Sequence, residues 1–149
     1  MKINEKISNK LNDLLIKNYD AEKGYREAIE NADSNWMKSY FSDRVTERKR
    51  FISELKAEII NLGKDPKDSG SLSGSMHRGW MDFKTIFTKK DDEAIIEEVL
   101  KGEKSSLEEY NDFLKEPEIP SDLKKTAIKQ RDTVKQAIHT LNEREAVVS

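Results

Sequence analysis

No cysteine occurs among the 149 residues. That excludes disulfides, thiolate zinc sites and thiol nucleophiles, and it leaves the cytoplasm as the default compartment. Glycine and proline are scarce, six and three, and they cluster. Long stretches therefore run without a helix breaker. No run approaches the ~18 apolar residues of a membrane span. The opening MKINEKISNKLNDLLIKNYD lacks the uninterrupted apolar core of a signal peptide. Charge of one sign is missing too: the net charge is −2 with both signs interspersed, leaving no basic tract for nucleic acid and no acidic tail. A soluble, cytoplasmic chain is expected, with no nucleic-acid partner and no membrane span. Its length suits one domain with a single core, residues 1–149.

What is present is helical periodicity. Charged residues (38%) outnumber apolar ones (35%), which suits slender helices that each bury one stripe. A first helix is predicted from about Asn4 to Ala32, with Leu11, Leu14, Leu15, Asn18, Glu22, Tyr25 and Ile29 on one face. NADSN supplies a turn and an N-cap. The second helix, about Asn35 to Leu62, turns Trp36, Tyr40, Phe41, Val45, Phe51, Ile52, Leu55, Ile59 and Leu62 inward, and Gly63 stops it with Pro66 beyond. GKDPKDSGSLSG is loop chemistry, and Ser75 is placed to cap a short helix from Met76 to about Phe87. Asp91 caps the third long helix, with Asp92 and Glu93 in its positive first turn. That helix runs to about Lys115 with Ile95, Ile96, Val99, Leu100, Glu103, Leu107, Tyr110 and Leu114 inward. EPEIP breaks the chain. Ser121 is read as the N-cap of a fourth helix burying Leu123, Ala127, Gln130, Val134, Ala137, Ile138 and Leu141, with a frayed EAVVS end.

At 1.5 Å per residue the four helices span ~45, ~42, ~36 and ~37 Å, matched lengths that argue for a bundle. Short links make helices one and two, and helices three and four, antiparallel hairpins. The crossover, about residues 63–91, is long enough to run the length of the bundle. The fold class is therefore all-α: a ferritin-like, up-down-down-up four-helix bundle whose long crossover contains a short helix. Met76, Trp80, Phe83 and Phe87 share one face of that helix, and burial against the bundle is the favoured role. The alternative is an exposed surface made of His77, Arg78, Trp80, Phe83 and Phe87 that docks on a protein partner or, ranked last, on a membrane surface.

Three segments carry a family likeness: GSLSGSMHRGWMDFK, with LNDLLIKNYDAEKGYREA before it and DDEAIIEEVLKGEKSSLEEYNDFL after it. Together they resemble a bacterial ferritin-like four-helix-bundle family catalogued as a domain of unknown function. The likeness runs from about Leu11 to Leu141. Its most specific part is the block holding Gly74, His77, Arg78 and Trp80. The resemblance implies the same fold and a lineage that includes metal-binding bundles. It implies no established activity.

Di-iron bundles need one inward Glu from each of two helices and a Glu-x-x-His pair from each of the others. Glu22 and Glu103 lie on their stripes, and Glu47 is offered by the second helix. Three residues after Glu47 stands Arg50, however, and His139 follows Gln136 and lies off its stripe. Glu22, Glu47, Glu103 and His139 are thus a metal constellation with members missing. The favoured reading puts Arg44, Arg48 or Arg50 beside the inward carboxylates, a forked guanidinium standing where a cation would. His77, beside Arg78, reads as a packing or capping residue. No nucleophile elbow or phosphate loop is present.

The expected function is a ferritin-like bundle with a degenerate di-metal site. It would be a non-enzymatic association or stress-related module that pairs with itself or another protein and needs no cofactor. The alternative is a di-iron-type oxidoreductase or metal store, using iron or another divalent metal on the inward carboxylates.

Overall fold

The helices begin and end where the sequence changes chemistry. The computed structural model describes residues 2–70, 80 and 92–148. Among them are α1 (Lys2–Asn31), α2 (Asn35–Asn61), α3 (Asp92–Leu114) and α4 (Ser121–Val148). Ser34 caps α2 from extended backbone, φ −69° and ψ 131°, and its hydroxyl accepts the Met37 N–H at 3.3 Å. At the other end Gly63 takes φ 77°, where only glycine is unstrained. The Gly63 N–H donates to Ile60 O at 2.9 Å and the Lys64 N–H to Ile59 O at 3.2 Å. Those two bonds form a Schellman stop and satisfy carbonyls the helix end would otherwise leave open.

Two terminal details differ from the sequence reading. The first backbone bond of α4 runs from the Lys124 N–H to Pro120 O at 2.9 Å, so Pro120 is the cap and Ser121 the first helical residue. The expected fraying does not reach residues 145–148: α4 continues to Val148, which packs against the core. The short helix expected from Met76 to Phe87, with its caps Ser75 and Asp91, lies outside the described residues.

Directions follow from who meets whom. The Asp33 N–H donates to Asp92 at 3.1 Å, and Lys6 and Lys10 pair with Glu116 at 3.4 and 3.2 Å. α1 and α3 are therefore antiparallel. Trp36, at the start of α2, lies under Arg144, near the end of α4, so these two are antiparallel as well. With α1 and α2 joined by three residues, 32–34, α2 and α3 run the same way. The bundle is up-down-down-up. After α2 the chain turns back along α1: Asn12 bonds Asp65 O and the Lys67 N–H, Tyr19 bonds Lys67 O, and Gly70 packs on Tyr19 and Asp20. Trp80 comes next, beside Gly24.

Two apolar clusters fill the interior. One holds Tyr25, Phe41, Trp80, Ile96, Val99 and Leu141; the other holds Leu11, Leu15, Leu55, Ile59, Tyr110 and Val134. Helix rotation differs slightly from the expected stripes. Ala21 and Ala28 are buried while Glu22 and Ile29 are half-buried at the rim of α1. On α3, Ser106 and Phe113 are buried while Leu107 and Leu114 are half-buried. On α1 and at Ser106 the inside position goes to the smaller residue, and the longer neighbour covers the seam.

Candidate functional site

Between the two apolar clusters lies a polar layer to which each helix contributes. Along α1, Asn18 falls between Leu15 and Ala21; along α2, Arg48 falls between Phe41 and Ile52; along α3, Glu103 and Ser106 fall between Leu100 and Tyr110. Arg48 and Glu103 are each only 1% exposed. Arg48 Nη2 donates to Glu103 Oε1 at 2.5 Å, and Nη1 donates to Asn18 Oδ1 at 2.7 Å. The Asn18 amide donates in turn to Leu14 O at 2.8 Å and to Tyr110 Oη at 3.0 Å. Tyr110 passes its proton donation to Gln130 Oε1 at 2.5 Å. Gln130 Nε2 reaches Glu54 at 2.9 Å, where the chain of bonds meets the surface. Donation thus runs outward from Arg48 in two directions, to Glu103 in the interior and through Asn18, Tyr110 and Gln130 to Glu54 at the rim.

The electrostatics follow from burial and one guanidinium. Burial by itself would lower the Arg48 pKa; the Glu103 carboxylate opposes this, and the net shift is upward, holding the charge in place. Burial pushes Tyr110 up to about 12, against the opposing pull of Arg48. Tyr25 is raised well above its ordinary value, first by burial and then by the Glu103 carboxylate. Glu47 is raised by burial, although Arg44 and Arg48 draw it down.

The residues singled out from the sequence are not gathered in one place. Glu103 is inside with Arg48. Glu22 lies at the rim, paired with Arg26 at 2.8 Å and Lys49 at 4.0 Å. Glu47 is held by Arg44, which donates to both its oxygens at 3.0 Å. Arg44 also lies over Tyr40, 4.9 Å from the ring centre, and Tyr40 stacks on Trp36 at 5.0 Å. Arg50 is exposed over Phe51. His139 is on the outer face of α4, 68% exposed, against Glu143 at 2.8 Å. Trp80 is in the core at 3% exposure, whereas His77, Arg78, Phe83 and Phe87 lie outside the described residues. Among the described residues, no group of three or more His, Asp or Glu is placed to hold an ion.

Sequence reasoning put Asn18, Tyr110 and Gln130 inside without seeing that they form a chain, and it missed Glu54. The available signal was that two amides sat on otherwise apolar stripes. A buried amide requires partners, and a facing phenol is one.

The Domain of unknown function (DUF2383) family model matches residues 6–116. No curated relative matches the sequence. Two solved structures share the fold. The Mycobacterium smegmatis Dps1 mutant F47E superposes with a TM-score of 0.80 at 15% identity, covering 97% of this chain and 97% of that one. The Dps protein from Vibrio cholerae O1 gives 0.75 at 19% identity, covering 94% and 89%. The latter is described as a member of a broad superfamily of ferritin-like diiron-carboxylate proteins. The polar layer here does not fit such a metal pair. Hard cations want several carboxylate oxygens. This layer offers the single carboxylate of Glu103, already held by a guanidinium, together with two neutral amides and a phenol that no shift brings near ionisation.

Proposed function

The chain belongs to the DUF2383 family, and from that premise we propose that it is a ferritin-like bundle whose di-metal layer has been replaced by a fixed ion pair. It works by association, with itself or with another protein, rather than by metal chemistry. One observation carries the reading: Arg48, a permanently charged side chain, is 1% exposed and bonded to the only buried glutamate among the described residues. A divalent ion in the same layer would have to displace that guanidinium or lie beside it. Either course brings like charges together in a low-dielectric interior. The surrounding amides support this reading, since neutral donors and acceptors complete an arginine's hydrogen bonds and contribute no negative charge for a metal.

The test is elemental analysis after anaerobic iron loading and desalting, alongside light scattering across a range of protein concentrations. The reading expects no retained iron above a non-binding control, and a defined assembly larger than one chain or a stable complex with a protein partner. Near-stoichiometric iron that disappears on Glu22→Gln with Glu103→Gln would overturn it. It would restore the metal-dependent alternative.

A further inference from the structure

Two glycines stand in helix interiors where no turn requires them, Gly24 in α1 and Gly102 in α3. Each weakens its helix relative to alanine, so each needs a reason. Both have the same one. A Cβ built on Gly24 would fall well inside van der Waals contact of the Trp80 ring at Cε3, and a Cβ on Gly102 would do so at Cε2 and Cδ2. The indole therefore lies against both helix backbones, at Gly24 and at Gly102. Its third wall is Tyr25, with ring centres 5.1 Å apart and planes tilted by 54°. At 3% exposure the ring is fully part of the core. Among the described residues its N–H has no hydrogen-bond partner. Shape and apolar contact are what Gly24, Gly102 and Tyr25 offer the ring.

We infer that Gly24, Gly102 and Tyr25 form a built receptor for one planar bicyclic aromatic, and that Trp80 is its resident ligand. The receptor fastens Trp80 to α1 and α3. It adjoins the polar layer, because Gly102 immediately precedes the buried Glu103. None of this depends on whether the layer binds metal.

The sign of a glycine substitution tests the inference. Replacing a helix-interior glycine with alanine ordinarily raises stability. Here Gly24→Ala and Gly102→Ala should each lower the thermal midpoint by several degrees while Trp80 is present. In a Trp80→Ala background the same changes should raise it. Fluorescence gives a second arm that leaves Trp80 in place. In a Trp36→Phe protein the remaining emission is that of Trp80, expected to be blue-shifted and poorly quenched by acrylamide. Gly102→Ala should shift it red and raise quenching several-fold. Free indole at millimolar concentration should raise the midpoint of Trp80→Ala and leave the parent unchanged. The inference is overturned if either glycine variant is stabilised with Trp80 present, if its emission and quenching do not move, or if indole fails to rescue. If Trp80→Ala does not fold, the emission arm decides by itself.

Discussion

Arg48 is a side chain with no water to fall back on. Its side chain is 2% exposed and that of its partner Glu103 is 1% exposed, so removing one partner leaves an uncompensated charge in the core. Arg48→Ala should therefore cost about 3–5 kcal/mol in urea unfolding. Arg48→Met combined with Glu103→Leu should recover the larger part of that loss, since an apolar pair of similar volume needs no desolvation. Equal losses in the single and double variants would show that the layer is held by something other than this pair. Tyr110 offers a separate test through pH. Burial raises its folded-state pKa to about 12 from 10.0. An acid whose pKa is raised on folding keeps its proton longer in the native state than in the unfolded one, so stability falls as pH rises across that window. The slope contributed by Tyr110 is up to about 1.4 kcal/mol per pH unit between its unfolded and folded values. Tyr110→Phe should flatten the alkaline limb of a stability–pH curve. It should also lower stability at neutral pH, because it leaves Gln130 Oε1 without its Tyr110 donor and the Asn18 amide with one of its two acceptors, Leu14 O.

Helix ends are set by local chemistry, and their energetics are local too. Ser34→Ala removes the oxygen that accepts the Met37 N–H and should cost about 1 kcal/mol. Gly63→Ala forces a Cβ into left-handed backbone at φ 77° and should cost about 1–2 kcal/mol. Thermal unfolding of each variant checks both values; a neutral Gly63→Ala would mean the Schellman stop relaxes without penalty. The same locality explains what could be read beforehand. NADSN, Gly63 and EPEIP are punctuation, so four helices, their lengths and the long crossover were legible without coordinates. Helix rotation was not. Little more than one turn of α1, a net rotation of about 40°, separates Glu22 at the rim from Asn18 inside, and the stripe Leu11–Leu14–Leu15–Asn18 continues equally well to either Ala21 or Glu22. Alanine gives too little hydrophobic signal to break that tie. Three arginines within seven residues of α2 posed the same problem. Arg48 alone keeps the seven-residue step from Phe41 and the four-residue step to Ile52, a phase that only burial makes decisive. Gly24 and Gly102 carried a signal that periodicity ignores, a missing side chain in each helix, and its meaning depended on a tryptophan far away in sequence.

The bundle as a whole is closed by a helix that the family match does not reach. The match ends at residue 116, before α4 begins at Ser121. Yet α4 buries Leu123, Ala127, Val134, Ala137 and Leu141, and its Gln130 accepts from Tyr110 and carries the hydrogen-bond chain from Arg48 on to Glu54. Without α4 both apolar clusters lose a wall and Tyr110 loses its acceptor, while three helices remain to support a buried ion pair open to water. Residues 1–149 are therefore proposed to fold as one unit. A chain cut after Glu116 should lose its cooperative thermal transition, bind a hydrophobic dye and show much reduced helical circular dichroism. Adding residues 117–149 back as a separate peptide should restore helicity and the transition in a saturable manner, because the missing wall is a complementary surface rather than a sequence context. If the cut chain instead unfolds cooperatively near the parent's midpoint, α4 is an appendage. The polar layer would then owe its order to α1, α2 and α3 alone.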